Sequence, residues 1–304
     1  MPKPSPKIII IVAFFAIYVI WGSTYLLNKI AVNELQPFFI AAIRFTSAGV
    51  LILTIAKLLK LDLKITKRQF INSTIAGFLF LVYGNGVFVW ALKYVDSGFA
   101  ALEAATLPLF VLLLMRLIHG KKIQRKSLIG IGLGFIGMYL LVSQKELVTQ
   151  ENGLIGILMI LTCILSWSYA SVFISKADVP SNFFVSTGYQ MLSAGVLLFL
   201  VSFILRESWV SPLQWSFSVQ WSMFLLIIFG SIVAFTAFNY LLKVVSAEKV
   251  STSAYVNPII AIFLGWYILD EKITLQSAIA AVILLTGVYF ITSKKETSDN
   301  KNQS

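Results

Sequence analysis

Ser47-Ala48-Gly49-Val50-Leu51 recurs without change as Ser193-Ala194-Gly195-Val196-Leu197, 146 residues later. The same offset pairs Trp21 with Trp167. Further along the offset becomes 150, pairing Lys93 with Lys243, Val95 with Val245, Pro108 with Pro258, Lys122-Ile123 with Lys272-Ile273, Gly137 with Gly287 and Tyr139 with Tyr289. About half of the chain is therefore a copy of the other half. What that unit is made of decides the fold.

The unit is made of apolar runs. Of the 304 residues 58% are apolar and only 12% charged, with a mean hydropathy of +0.87, far from the composition of a soluble domain. Apolar stretches predict membrane helices over 8–28, 37–59, 70–92, 98–118 and 127–142, then over 153–174, 182–205, 221–242, 250–269 and 274–291. Each is long enough for a helix to cross a hydrocarbon layer of roughly 30 Å with its backbone bonds satisfied internally, and none alternates with the period of a barrel strand. The expectation is an all-α membrane protein of ten transmembrane helices. Little length is left for a soluble domain. The first run has no small-residue cleavage site and reads as a retained helix rather than a leader.

Five helices per unit is an odd number, so the second unit enters the bilayer from the opposite side and the repeats are inverted. Charge agrees. With a cytoplasmic amino terminus, 18 of the 24 Lys and Arg fall in cytoplasmic segments, five in outer loops, and Arg44 inside a span. The basic connections around Lys57 to Arg68 and Arg116 to Lys126 dominate this bias and read as topology signals and anionic-lipid contacts. Gly120-Lys121-Lys122 in the first unit corresponds to Asp270-Glu271-Lys272 in the second, so each carries the charge suited to its side. The organisation is 1–146 and 147–293 as two inverted five-helix repeats, both termini cytoplasmic, with 294–304 a polar, disordered cytoplasmic tail. Inverted repeats are the architecture of secondary transporters working around a midplane site.

The residues also exclude several classes. The net charge of +11 is spread between apolar runs rather than gathered on a folded surface, so no nucleic-acid partner is expected. One cysteine, Cys163, excludes an internal disulfide, and one histidine, His119, argues against a metal site. No GxxxxGK[ST] string is present for ATP. Gly132-Leu133-Gly134-Phe135-Ile136-Gly137 spells the dinucleotide fingerprint but lies inside a predicted span without a preceding strand, so close helix packing is the expected role and no cofactor is assigned. Catalysis within the membrane lacks its parts: His119 is in a loop, Cys163 has apolar neighbours, and Glu103 is the one clearly intramembrane acid. The chain is not expected to be an enzyme.

Ile20-Trp21-Gly22-Ser23-Thr24-Tyr25, Ala105-Thr106-Leu107-Pro108-Leu109, Tyr255-Val256-Asn257-Pro258 and Leu269-Asp270-Glu271-Lys272-Ile273 resemble, in order and spacing, the drug/metabolite transporter superfamily, EamA branch. The resemblance spans nearly the whole chain. It implies a ten-helix, five-plus-five carrier of the bacterial inner membrane that exports amino acids, other small metabolites or drugs. Two positions depart from the pattern: Lys121 stands where relatives often carry Glu, and Glu103 where they tend to be apolar or small.

Glu103 is the sharpest candidate, since a charge within a span is costly and faces the interior or a wet cavity. It reads as a proton carrier, a substrate contact, or a structural partner. Arg44 has the uncharged Gln190 as its counterpart; an ion pair with Glu103, binding of a substrate carboxylate, and snorkelling to an interface all remain open for it. Pro108 and Pro258 predict bends in the fourth and ninth helices, which become the expected walls of the path, with Thr106, Tyr255 and Asn257 within a turn of the bends. Asn85 and Asn239 are buried amides that function or simple pairing explains equally. Trp21 and Trp167, matched by the repeat, are candidate cavity aromatics. The expected function is secondary active export of a small molecule by alternating access across the lipid bilayer, with protons as a possible second partner. A non-transporting scaffold or sensor, and more remotely an intramembrane enzyme, are the alternatives.

Overall fold

The computed structural model describes residues 6–120, 125–144, 152–251, 253 and 256–292; Lys121, Lys122, Tyr255 and the 294–304 tail lie outside them. The described residues contain helices and no strand. In chain order they are α1 (Pro6–Glu34), α2 (Pro37–Leu58), α3 (Lys67–Ala91), α4 (Ser97–His119), α5 (Arg125–Val142), α6 (Gly153–Lys176), α7 (Phe183–Ile204), α8 (Phe217–Val244), α9 (Asn257–Leu269) and α10 (Leu275–Thr292). Seven of them, α1 to α4 and α6 to α8, are long and apolar enough to cross a membrane; α5, α9 and α10 are shorter apolar helices. A single turn, Ala247–Val250, precedes α9.

Local chemistry sets the ends. Thr66 and Gln69 form a reciprocal capping box at the start of α3, and the Asn182 side chain accepts from the backbone of Phe184 and Val185 at the start of α7. Pro37 opens α2, where its missing N–H costs nothing. Large exposed apolar side chains such as Phe15, Phe203, Phe217 and Tyr289 cover the outside of the bundle, the surface expected to meet lipid.

The packing has a two-fold pattern. α2 lies along α7 and α5 lies along α10. α1 packs on α8 and α9, while its counterpart α6 packs on α3 and α4. The repeated pentapeptide explains itself at the first of these contacts. A Cβ added to Gly49 would sit 2.7 Å from the backbone nitrogen of Leu192, and one added to Gly195 would sit 2.7 Å from that of Thr46. Thr46 and Leu192 are themselves a repeat pair, so the two glycines make one contact twice. The second pair of helices does the same: a Cβ on Gly137 would lie 3.0 Å from the Leu284 nitrogen, and one on Gly287 would lie 3.0 Å from that of Gly134. Within the glycine run that spells a nucleotide fingerprint, Gly137 and the backbone of Gly134 make this contact, where small residues let backbones come close, while a Cβ at Gly132 would meet nothing within 4 Å.

Two kinds of irregularity interrupt the helices, each in matched positions. α3 is wound as a π-helix over Phe78–Val87 and α8 over Leu226–Val233. Such segments are rare and recur at functional sites. α4 stops at Ala104 and restarts at Leu107, with Pro108 in the first turn of the restart; Pro258 holds the same place in α9. The expected bends are thus breaks: proline sits where an N–H has no helical partner anyway, and the chain turns just before it.

Candidate functional site

Both kinds of irregularity open onto one cavity, about 970 Å³ of empty space counting its mouth. Its wall takes Trp21, Thr24, Tyr25 and Asn28 from one stripe of α1, Arg44 and Phe45 from α2, and Leu81, Gly84, Asn85 and Phe88 from α3. Ala101, Ala104, Ala105 and Leu107 come from the break in α4, and Cys163, Ile164 and Trp167 from α6. Gly230, Phe235 and Phe238 of α8, with Ser253, Asn257 and Pro258 at the start of α9, complete it. No lining residue comes from α5, α7 or α10. The size and the mostly apolar lining with few polar groups suit a small-molecule site.

Aromatic rings form the middle of the wall. Trp21 and Trp167 meet edge to face with centroids 5.7 Å apart, and Phe238 lies 4.9 Å from Trp21 and 5.8 Å from Trp167. Each tryptophan leans on the π segment of the other half. Trp21 Nε1 donates to the Gly230 carbonyl at 3.2 Å. The Trp167 ring would lie 3.2 Å from a Cβ at Gly84, a position that only glycine leaves free. The π winding and the small residues within it bring these rings together.

Arg44 is 3% exposed. Its Nε donates to Ser231 Oγ at 2.8 Å and its Nη1 to Asn28 Oδ1 at a long 3.4 Å, and the guanidinium carbon stands 4.8 Å from the centre of the Phe45 ring. Its counterpart Gln190 is turned into the α7–α8 interface, donating to Ser186 Oγ at 3.1 Å and Asn239 Oδ1 at 3.3 Å, and is not part of the wall. Asn239 passes the chain on to Thr187 Oγ1 at 3.2 Å, which makes it a packing amide. Asn85 lines the cavity with its Oδ1 buried and without a partner.

Glu103, only 1% exposed, stands behind the wall rather than in it. Its Oε2 has no hydrogen-bond partner, and Arg44 bonds Ser231 and Asn28 rather than Glu103. Thr106 is also behind the wall, its hydroxyl donating to the Glu103 carbonyl at 2.7 Å across the α4 break. Asn257 is in the wall. With its amide nitrogen facing them, it donates to the carbonyls of Tyr18 at 2.8 Å and of Ile17 and Ser253 at 3.2 Å, tying the start of α9 to α1. Tyr255 lies outside the described residues. The candidates Trp21, Arg44, Asn85, Trp167, Asn257 and Pro258 thus converge on one space, and Glu103, Thr106 and Pro108 back it.

One end of the bundle is tied together by two carboxylates and a lysine near the helix ends. Glu271, just beyond α9, accepts from Ser97 N at 2.8 Å, Ser97 Oγ at 2.7 Å and Gly98 N at 3.0 Å, capping α4 from the other half of the chain. Glu207, beyond α7, accepts from Phe38 N at 3.2 Å and Phe39 N at 2.8 Å and so caps α2. Lys29 donates to the carbonyls of Leu92 at 2.6 Å and Val95 at 2.9 Å. Between them Asp96 is held above its ordinary carboxylate range, first by burial and then by Glu271, with Lys29 opposing. At the opposite end Tyr189 donates to the Leu63 carbonyl at 3.0 Å, and Asn72 to that of Asp178 at 2.8 Å.

Comparison with known proteins identifies the family. The model of the EamA-like transporter family matches residues 8–143 and again 154–293. The chain is 36% identical over 285 residues to the uncharacterized inner membrane transporter YedA of Escherichia coli K12, covering 93% of this chain and 90% of that one. It is 23% identical to the uncharacterized transporter YoaV of Bacillus subtilis, covering 93% and 96%. A solved crystal structure superimposes with a TM-score of 0.71 over 95% of this chain and 97% of the other at 21% identity, which shows the shared fold. A twice-matched family model, a relative of this likeness and seven membrane-length helices lead to one statement: this chain belongs to the EamA-like transporter family and is a multi-pass inner-membrane transporter.

Proposed function

We propose that the protein is a secondary active exporter that moves a small metabolite or drug through the cavity by alternating access. In this reading ten helices span the bilayer as two inverted repeats, with both termini in the cytoplasm. The observation that carries it is the makeup of the wall: one space assembled from paired elements of both halves, the two tryptophans, the two π segments, the break in α4 and the proline-marked start of α9. Such an arrangement lets the halves exchange roles about a fixed site. With the amino terminus inside, the clamped end faces outward, and the bonds of Glu271, Glu207 and Lys29 are what must part for release there. Glu103 is the proposed proton carrier: a buried carboxyl one layer behind the wall, with an unpartnered oxygen, beside the break of α4.

The test is accumulation in cells overproducing the protein, challenged with amino acids and toxic analogues. One or more compounds should accumulate less and be better tolerated. In proteoliposomes, Glu103→Gln should abolish accumulation driven by a pH gradient while leaving counterflow intact. Unchanged accumulation of every compound would overturn export, and an unchanged pH response in the variant would overturn the role of Glu103.

A further inference from the structure

We propose that the cavity is built for an organic monoanion with an apolar ring or chain, its carboxylate seated on the guanidinium of Arg44; this deepens the transporter reading of the same cavity and rests on it. Arg44 is buried at 3% exposure and lines the cavity. Its two hydrogen bonds go to uncharged side chains, Ser231 and Asn28, and no acidic residue lines the wall among the described residues. A guanidinium stays protonated, and a buried charge is costly unless an opposite charge meets it. Since the wall supplies none, the occupant is the available source.

The geometry suits a carboxylate. Nε is committed to Ser231 at 2.8 Å, which fixes the plane of the fork. Nη1 is held only by the 3.4 Å contact to Asn28, and Nη2 has no hydrogen bond among the described residues. The pair of nitrogens left free or loosely held is the pair that receives the two oxygens of a carboxylate side by side. Beyond the charge the wall is apolar and aromatic, with Trp21, Tyr25, Phe88, Trp167, Phe235 and Phe238. That lining accepts rings and hydrocarbon and offers no second cation for a dianion. A cationic occupant would set like charge against like in a space of low dielectric.

The experiment uses the full-length protein in lipid nanodiscs and equilibrium dialysis with three probes of one shape: phenylacetate, phenylacetamide and phenethylamine. Phenylacetate should bind at least about 10-fold more tightly than phenylacetamide, as expected for hydrogen bonds to a charged group, with phenethylamine weakest. Arg44→Gln should bring the acid and the amide to within about 2-fold, and Arg44→Lys should retain part of the preference because it keeps the charge and loses the fork. The wild-type comparison needs no variant to fold. Equal binding of acid and amide, best binding of the amine, absence of binding by all three at millimolar concentration, or a preference that survives in Arg44→Gln would each overturn the proposal. If phenylacetate binds selectively but crosses no proteoliposome membrane, the transport reading fails and this one stands. If neutral or cationic compounds are carried with no preference for anions, this one fails alone.

Discussion

The two halves of the chain match at the helix contacts that join them and differ at the charged and polar positions around the cavity. At the α2–α7 contact Gly49 and Gly195 occupy equivalent places and make equivalent approaches, each to the backbone of the other's helix. Five residues before each glycine the likeness ends: Arg44 reaches into the cavity, while Gln190 is absorbed into a network with Ser186 and Asn239. Glu103 and its repeat counterpart Ser253 differ in the same way, one a carboxyl behind the wall, the other a residue in it. A duplicated bundle has to keep symmetry where geometry closes the structure. Its chemistry is free to become one-sided where a ligand without symmetry must be met.

The strongest test of this contrast is at the glycines. Gly49→Leu and Gly195→Leu should each destabilise the protein by about 1–3 kcal/mol or more, because the added atoms meet backbone that cannot step aside. Thermal melting of the purified protein should show similar losses for the two variants. If one is tolerated and the other is not, the contact is not reciprocal.

The tryptophans sharpen the comparison with a smaller effect. Trp21 Nε1 holds the Gly230 carbonyl, whereas the Trp167 ring only packs against Gly84. Trp21→Phe should therefore cost about 1 kcal/mol more than Trp167→Phe, the net value of one hydrogen bond. Equal melting temperatures would show that the bond contributes nothing.

The smallest effect is expected at Asp96. Its carboxyl is raised above the ordinary range, so the folded protein binds this proton more tightly than the unfolded chain, and stability falls as pH rises from the unfolded value through the folded one. Asp96→Asn should remove that slope, leaving the variant slightly more stable than wild type above the window and no more stable below it. Melting curves across pH would expose a failure as two parallel profiles.

Much of this was legible in the sequence for identifiable reasons. Long apolar runs announce helices because lipid leaves the backbone no other partner. The pentapeptide and, within the Gly132 to Gly137 run, Gly137 announce close packing because small side chains permit it, although Gly132 stands in open space. Arg44, Trp21, Trp167, Asn85 and Asn257 stood out as polar or repeat-matched residues within apolar stretches, and the structure brings them to one cavity. The π segments were hidden, since the register of backbone bonds leaves no pattern in side-chain polarity; Gly84-Asn85-Gly86 was the one local hint. Phe235 and Phe238 were lost among 24 phenylalanines. Glu271 was read as a marker of sidedness, because nothing in the linear order shows that it caps a helix from the other half of the chain.

The pairing of Arg44 with Gln190 has a consequence for why the two halves share one polypeptide. Had the bundle remained an assembly of two identical copies, every cation placed at the cavity would have arrived in duplicate, and a guanidinium in the wall with a neutral amide at the equivalent position of the other half could not have been written. Covalent fusion frees each copy to mutate alone, so the wall can be charged on one side and greasy on the other instead of presenting the same surface twice.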